Sequence, residues 1–292
     1  MADPKPEATL ENILLDFKQL FRGAEVSDDM PKLLRVISKQ ANVPLQEDQL
    51  LAMAFDAACI REDYFDQIFE KYLSKEQLEN VCLKVAKEAG TCGDSNVFQH
   101  FYSKLTNKAA IDDYQFARYA TCAGEKGLYA GWKYFAGRIK SKANKTKAKD
   151  NEDMRKFAYC AAGKEYRWED CIAFLKEIRN VKLRQVTAAD LVLSAARKEN
   201  NIHKEKTLEI LNLANKNYRE DLAFIVADII GNHGHGGYCF KKFYDMIKDP
   251  KKKAVIGARL MTYARKGEDV ATSEMFLDLA GHGDLKYAWF GQ

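Results

Sequence analysis

The sequence predicts an all-α chain, a right-handed α-solenoid of about eight stacked antiparallel helical hairpins. Three observations predict it. Apolar residues recur at three- and four-residue spacing along most of the chain, the period of an amphipathic helix. No β-branched run alternates with polar residues between tight turns, so essentially no sheet is expected. The chain also repeats itself between Met154 and Gly267. Phe157-Ala-Tyr-Cys-Ala-Ala-Gly163, Val192-Leu-Ser-Ala-Ala-Arg197, Ile225-Val-Ala-Asp-Ile-Ile-Gly231 and Gly257-Ala-Arg-Leu-Met-Thr-Tyr-Ala-Arg265 each carry an apolar helical segment, and their last residues stand 34 apart. Self-similarity at that period is the signature of stacked helical hairpins, none of which can bury its apolar faces alone.

The marker can be followed toward the N-terminus. Gly90 lies 34 residues before Gly124, whereas Gly124 to Gly163 is 39, so one connection carries about five extra residues. Earlier the register loosens through Cys59 and Gly23. The first hairpin pairs residues 10–21 with 31–41, and Pro31 suits a first helical turn, where its missing N–H costs nothing. The second pairs 46–59 with 61–73, whose Tyr64, Phe65, Ile68, Phe69 and Tyr72 form an aromatic stripe. Ser74-Lys-Glu-Gln77 has capping-box spacing and opens a third hairpin running to 89, with a partner at 96–104 that carries Phe98 and Phe101. The fourth pairs 113–123 with 128–139, where Trp132, Phe135, Ala136 and Ile139 share one face. The fifth pairs 152–162 with 168–179. Thr187-Ala-Ala-Asp190 starts the sixth, followed by 204–214. The seventh pairs 219–230 with 238–247. In the eighth, Asp249-Pro250 leads into 254–265 and then 271–280.

Composition sets limits on function. A content of 47% hydrophobic and 30% charged residues belongs to a globular chain. A net charge of +4, from 46 basic and 42 acidic residues, gives no global preference for polyanions. The seven cysteines are odd in number and lack a Cys-x-x-Cys pair, which points to small buried thiols in a reducing compartment and not to a disulfide framework. The N-terminus has neither signal-peptide nor transit-peptide form, and no apolar run approaches the roughly 18 residues of a membrane span. A cytoplasmic protein with no membrane span is expected, with organelle import after loss of a presequence as the alternative. One helical-repeat domain over 1–292 is expected, with a soft boundary at the basic connection 140–150.

The period, the small residue ending each first helix and the aromatic second helix resemble tetratricopeptide and pentatricopeptide repeats. The best local match is Tyr263-Ala-Arg-Lys-Gly-Glu-Asp269 followed by Met275-Phe-Leu-Asp-Leu-Ala280. The chain departs from the tetratricopeptide pattern in lacking Leu-Gly in the first helix and in having only Pro250 well placed to end a second one. The pentatricopeptide resemblance would imply a polar base-reading residue near the start of each first helix. Nine residues before the markers stand Val81, Gln115, Met154, Ala188, Leu222 and Ile256. Five of these six are apolar and cannot hydrogen-bond a base edge, so no base code is expected.

Three stretches are candidates for binding. Arg138, Lys140, Lys142, Lys145, Lys147 and Lys149 form a run without an acid where the repeat lengthens, and Lys251, Lys252 and Lys253 form a smaller one. Each reads as a solvated connection or as a contact for phosphates, acidic protein or anionic lipid. His233, His235 and Cys239 could offer metal ligands, with His282 as a distant fourth, but their spacing is no recognised zinc pattern. The glycines among them read more simply as a tight turn. Tyr287, Trp289 and Phe290 in the terminal segment read as a cap over the last hairpin or as a docking peptide. No nucleophile–base pair, phosphate-binding glycine loop or His-Glu-x-x-His motif is present. The acidic pairs Glu62-Asp63, Glu169-Asp170 and Glu268-Asp269 read as helix-start charges. The expectation is a non-enzymatic scaffold or adaptor that binds a protein partner and needs no cofactor. The alternative is an RNA-associated repeat protein that holds the nucleic-acid backbone without a base-reading code.

Overall fold

A computed structural model describes residues 12–13, 15–16, 47–60, 65–164, 167–197, 204–234, 237–267 and 269–281. Apart from residues 12–13 and 15–16, the first expected hairpin lies outside the described residues, as do His235, His282, the segment with Tyr287, Trp289 and Phe290, Glu62-Asp63 and Glu268. Among the described residues there are fifteen α-helices and no strand. The chain is all-α, and its helices pack in neighbouring pairs. Contacts divide it into two compact units, Met1–Ala123 with Gly137–Lys140, and Gly124–Ala136 with Ser141–Gln292.

The first unit holds α1 (Glu47–Ile60), a π turn (Phe65–Phe69), α2 (Lys75–Cys92), α3 (Ser95–Lys104) and most of α4 (Asp113–Glu125). The capping box forms at α2. Ser74 Oγ accepts the Gln77 N–H at 3.2 Å and Gln77 Oε1 accepts the Ser74 N–H at 2.7 Å. Such a cap contributes about 1 kcal/mol. Asp94 caps α3 in turn by accepting from Asn96 and Val97. Phe98 and Phe101 are fully buried: Phe101 meets Phe65 edge-on at 5.2 Å, and Phe98 meets both Phe116 and Tyr119 at 5.8 Å. The expected helix over 61–73 is not a regular one in its described part. Glu70 N–H bonds five residues back to Phe65 O, and the turn closes at Tyr72 and Leu73. The chain has to become extended at Ser74 to cap α2, so an α-helix cannot run through.

The second unit holds the rest. It comprises most of α5 (Tyr129–Arg138), then α6 (Lys142–Lys147), α7 (Asn151–Ala162), α8 (Trp168–Glu177), α9 (Val181–Arg197) and α10 (Lys204–Leu213). After these come α11 (Arg219–His233), α12 (Gly237–Met246), α13 (Pro250–Gly257), α14 (Leu260–Arg265) and α15 (Val270–Leu279). Helix α7 pairs with α8, α9 with α10, α11 with α12, and α14 with α15. Like helices also meet: α7 touches α9, α9 touches α11 and α11 touches α14, while α8 touches α10 and α12 touches α15. The core is aromatic. Phe174 takes Tyr129, Trp132 and Phe157 edge-on at 5.2, 5.7 and 5.6 Å, and Phe240, Tyr263 and Phe276 form a second cluster.

Three expected boundaries move. The long connection after α5 is not an open loop, because residues 142–147 wind into α6 and Trp132 Nε1 donates to the buried Ala148 carbonyl at 3.2 Å. The first helix of the sixth hairpin begins at Val181, so Thr187 is interior and its hydroxyl donates to Leu183 O instead of capping. The helix expected over 254–265 breaks at Ala258 and Arg259 into α13 and α14. Two contacts with α11 accompany the break: Arg259 Nη1 reaches Asp228 at 2.6 Å, and the Tyr263 ring covers Gly231.

Candidate functional site

The residues that connect successive helices are polar and follow one pattern. Lys156 on α7 reaches Glu125 on α4 at 2.6 Å, and Tyr159 on α7 donates to Asp190 on α9 at 3.1 Å. Lys252 on α13 reaches Asp221 on α11 at 2.5 Å, and Tyr263 donates to Asp228. In the other layer, Lys176 on α8 reaches Glu209 on α10 at 3.1 Å, and in the first unit Lys104 on α3 reaches Glu70 at 2.7 Å. Partners in these six bonds are 31 to 35 residues apart in sequence, one repeat length. Exposed pairs of this kind contribute about 0–1 kcal/mol each, so their value lies in register more than in stability.

A second device closes the turns. Glu79 accepts the main-chain N–H groups of Thr106 and Asn107, both at 2.9 Å. Asp113 accepts from Lys140 at 3.1 Å, and Asn151 Oδ1 accepts from Arg179 and Asn180 at 2.7 and 3.1 Å. Glu220 accepts from Lys248 and Asp249 at 2.9 and 2.6 Å. These four acceptors were not singled out by sequence reasoning. The signal available was an acid or amide in the opening turns of a first helix, 27 to 29 residues before the turn it closes. The two N–H donors hold the Glu79 carboxyl below its usual range, Thr106 first and Asn107 next.

The basic candidates divide between elements. Arg138 ends α5 with its guanidinium 5.9 Å from the Tyr102 ring centre, and Lys140 is exposed while its own N–H goes to Asp113. Lys142, Lys145 and Lys147 are exposed on α6, and Lys149 lies over the Trp132 ring at 5.8 Å. Lys251, Lys252 and Lys253 form the first turn of α13. There Lys252 is paired with Asp221 and Lys253 lies 5.2 Å over the Tyr244 ring, which leaves Lys251 as the exposed one.

The remaining sequence candidates are structural where they are described. His233 ends α11 and Cys239 is buried in α12. Among the described residues no group of three or more His, Cys, Asp or Glu is placed to hold a metal. Between them Gly234 adopts φ 72° and closes α11, and a Cβ there would lie 1.8 Å from the Lys266 carbonyl oxygen, so the turn demands glycine. Glu169 and Asp170 occupy the first turn of α8, where burial raises the Asp170 carboxyl above its usual range despite Arg167. None of the seven cysteines is in a disulfide. Cys82, Cys171 and Cys239 are buried, Cys59 and Cys92 exposed, and burial pushes the Cys82 and Cys171 thiols up to about 12.

Two of the surface grooves among the described residues lie on the second unit. One of about 450 Å³ follows α7 along Glu152, Arg155, Lys156, Tyr159 and Cys160. The other, of about 430 Å³, lies at the end of α10 between Arg184, Lys216 and Arg219. Among the described residues no helix is long and apolar enough to cross a membrane. The architecture is thus that of an all-α chain of paired helices with polar contacts repeating along it. No family model, curated protein or solved structure matches the chain.

Proposed function

We propose that the chain is a non-enzymatic helical-repeat scaffold, a tetratricopeptide-like α-solenoid that docks a protein partner as a subunit or adaptor of a larger cytoplasmic assembly. The observation that carries this reading is the repeat-length spacing of contacts in both helix layers, where like positions of successive pairs touch. Hairpins joined that way share their inner faces with neighbours and leave the outer helical faces free for a partner. Exposed Tyr114, Val186, Ile225 and Val255 on first helices add apolar area of the kind that partners cover. The test is purification of the full chain from its native source with and without nuclease. A defined protein should co-purify in fixed ratio under both conditions. Loss of every partner on nuclease treatment would overturn the reading.

One observation favours a second reading. Lys142, Lys145 and Lys147 project from a short helix that contains no acid, so backbone phosphates could be held there without base recognition. In that case binding of single-stranded RNA would weaken steeply with salt, and replacing the three lysines by glutamine would reduce the salt slope by about two to three. An affinity unchanged by that replacement removes the second reading.

A further inference from the structure

Four turns in the described chain are closed from within, by Glu79, Asp113, Asn151 and Glu220. The turn that follows α10 is not. Its residues Asn215 and Lys216 stand where Arg179 and Asn180 stand after α8, and Lys248 and Asp249 after α12. Among the described residues the main-chain N–H groups of Asn215 and Lys216 have no acceptor. At the 28- and 29-residue spacing of Asn151 and Glu220, α9 carries Thr187, which is buried and donates its hydroxyl to Leu183 O, while Arg184 and Gln185 of the same helix line the groove.

That groove has the opposite charge from a closed turn. Arg184 is held by its Nη1, which donates to Ile178 O at 3.3 Å. Arg219 is held by its Nε, which donates to Ala214 O at 3.2 Å, and by its Nη2, which donates to Asn212 O. Main-chain carbonyls therefore fix both guanidiniums but cancel neither charge, and donors remain on each. Arg184, Lys216 and Arg219 have no carboxylate partner among the described residues. Both arginines are half-buried, so they are partly stripped of water without an anion to offset it. Leu213 and Ala214 add apolar atoms to the lining, and the exposed Val181 lies one helical turn before Arg184.

We propose that this turn is a docking site for an acidic segment of a partner protein, whose carboxylate enters the groove and supplies the oxygen that the other turns carry themselves. The inference rests on the protein-docking reading above. A carboxylate fits for two reasons. At Glu79 and Glu220 the same chain already uses one carboxylate to take two adjacent N–H groups, and a guanidinium fork matches its planar pair of oxygens. The apolar Leu213 in the groove lining gives side chains next to that carboxylate something to cover, which a bare inorganic anion would not use.

The test selects displayed random linear peptides on the full chain and measures the enriched ones, labelled, by fluorescence anisotropy. Arg184→Gln removes one cation. Gln185→Glu places an internal carboxylate at the groove, imitating the closed turns. The result expected is enrichment of peptides with Asp or Glu beside an apolar residue, with affinity falling about tenfold in each variant. Circular dichroism spectra should remain unchanged, and Gln185→Glu should keep or raise the melting temperature. Peptides without an acid, or affinities equal in both variants and the wild type, would overturn the inference while leaving docking elsewhere on the chain intact. If no peptide is enriched and single-stranded RNA binds the groove in an Arg184-dependent way, this inference and the docking reading both fall.

Discussion

Gly231 shows how much one side chain, or its absence, decides. A Cβ there would come 2.4 Å from the ring of Tyr263, which is fully buried and tied through its hydroxyl to Asp228. The ring cannot swing aside, so Gly231→Ala should cost about 1–3 kcal/mol through overpacking. Gly257 has no neighbour within 4 Å, and Gly257→Ala should be neutral or stabilising by about 0.5 kcal/mol. Urea titration of the two variants checks the contrast, and equal midpoints would refute the close approach of α11 and α14. Tyr129 gives a pH signature. Burial first, and its 2.9 Å hydrogen bond to Glu177 second, push the phenol up to about 12 from an ordinary 10. A raised folded value means that the contribution is fully present below pH 10 and is lost as pH rises toward 12. Tyr129→Phe should therefore flatten the alkaline limb of the stability curve between pH 10 and 12, measured by urea midpoints across that range.

The turn acceptors belong to the scale of the element, because each ties one helix start to the turn after the following helix. Glu220→Ala leaves the N–H groups of Lys248 and Asp249 to water and removes their hold on the start of α13. The expected cost is about 1–2 kcal/mol, read as a lower melting temperature. At Glu79 the sign with pH can be stated. Its folded value is lowered, so the contribution is present above the ordinary 4.5 and disappears as pH falls below it. Glu79→Gln should make stability less sensitive to acid between pH 5 and 3, by a small margin since the carboxylate is at the surface. Sequence reading caught the cap at Ser74, which acts within three residues. It missed Glu79 and Glu220, whose partners are main-chain groups 27 to 29 residues away and carry no side-chain signature. Helix α6 escaped for a related reason. Its sequence, Lys-Ala-Asn-Lys-Thr-Lys, has no apolar period, and the Trp132 bond to the Ala148 carbonyl that anchors it comes from another segment.

On the scale of the whole molecule, the seven cysteines report on packing from Cys59 to Cys239. Cys59 and Cys92 are exposed, Cys122 and Cys160 half-buried, and Cys82, Cys171 and Cys239 buried. A thiol reagent should modify the first two in the folded protein, the next two more slowly, and the last three only on unfolding. Mass mapping of labelled peptides against time checks this order, and early labelling of Cys171 or Cys239 would contradict the packing around Phe174 and Phe240. As the sequence implied, none of the seven cysteines is joined in a disulfide. The expectation that they are small buried residues fits only three of them, since spacing along a helix does not say which side a neighbour covers.

The sequence by itself determined that the chain is helical, where most helices start and stop, and which aromatic residues form the interior. Those properties are local: apolar spacing, caps and glycine turns act within a few residues, and Phe98, Phe101, Trp132 and Phe135 are buried as their spacing implied. The tertiary structure alone decided which turns are closed and which is left open. A main-chain N–H takes whichever oxygen the neighbouring helix brings within reach, and Thr187, with its hydroxyl donated to Leu183 O, stands in α9 at the spacing where Asn151 and Glu220 stand in α7 and α11. No pattern along the chain marks that exchange, because its meaning depends on groups brought together only by packing.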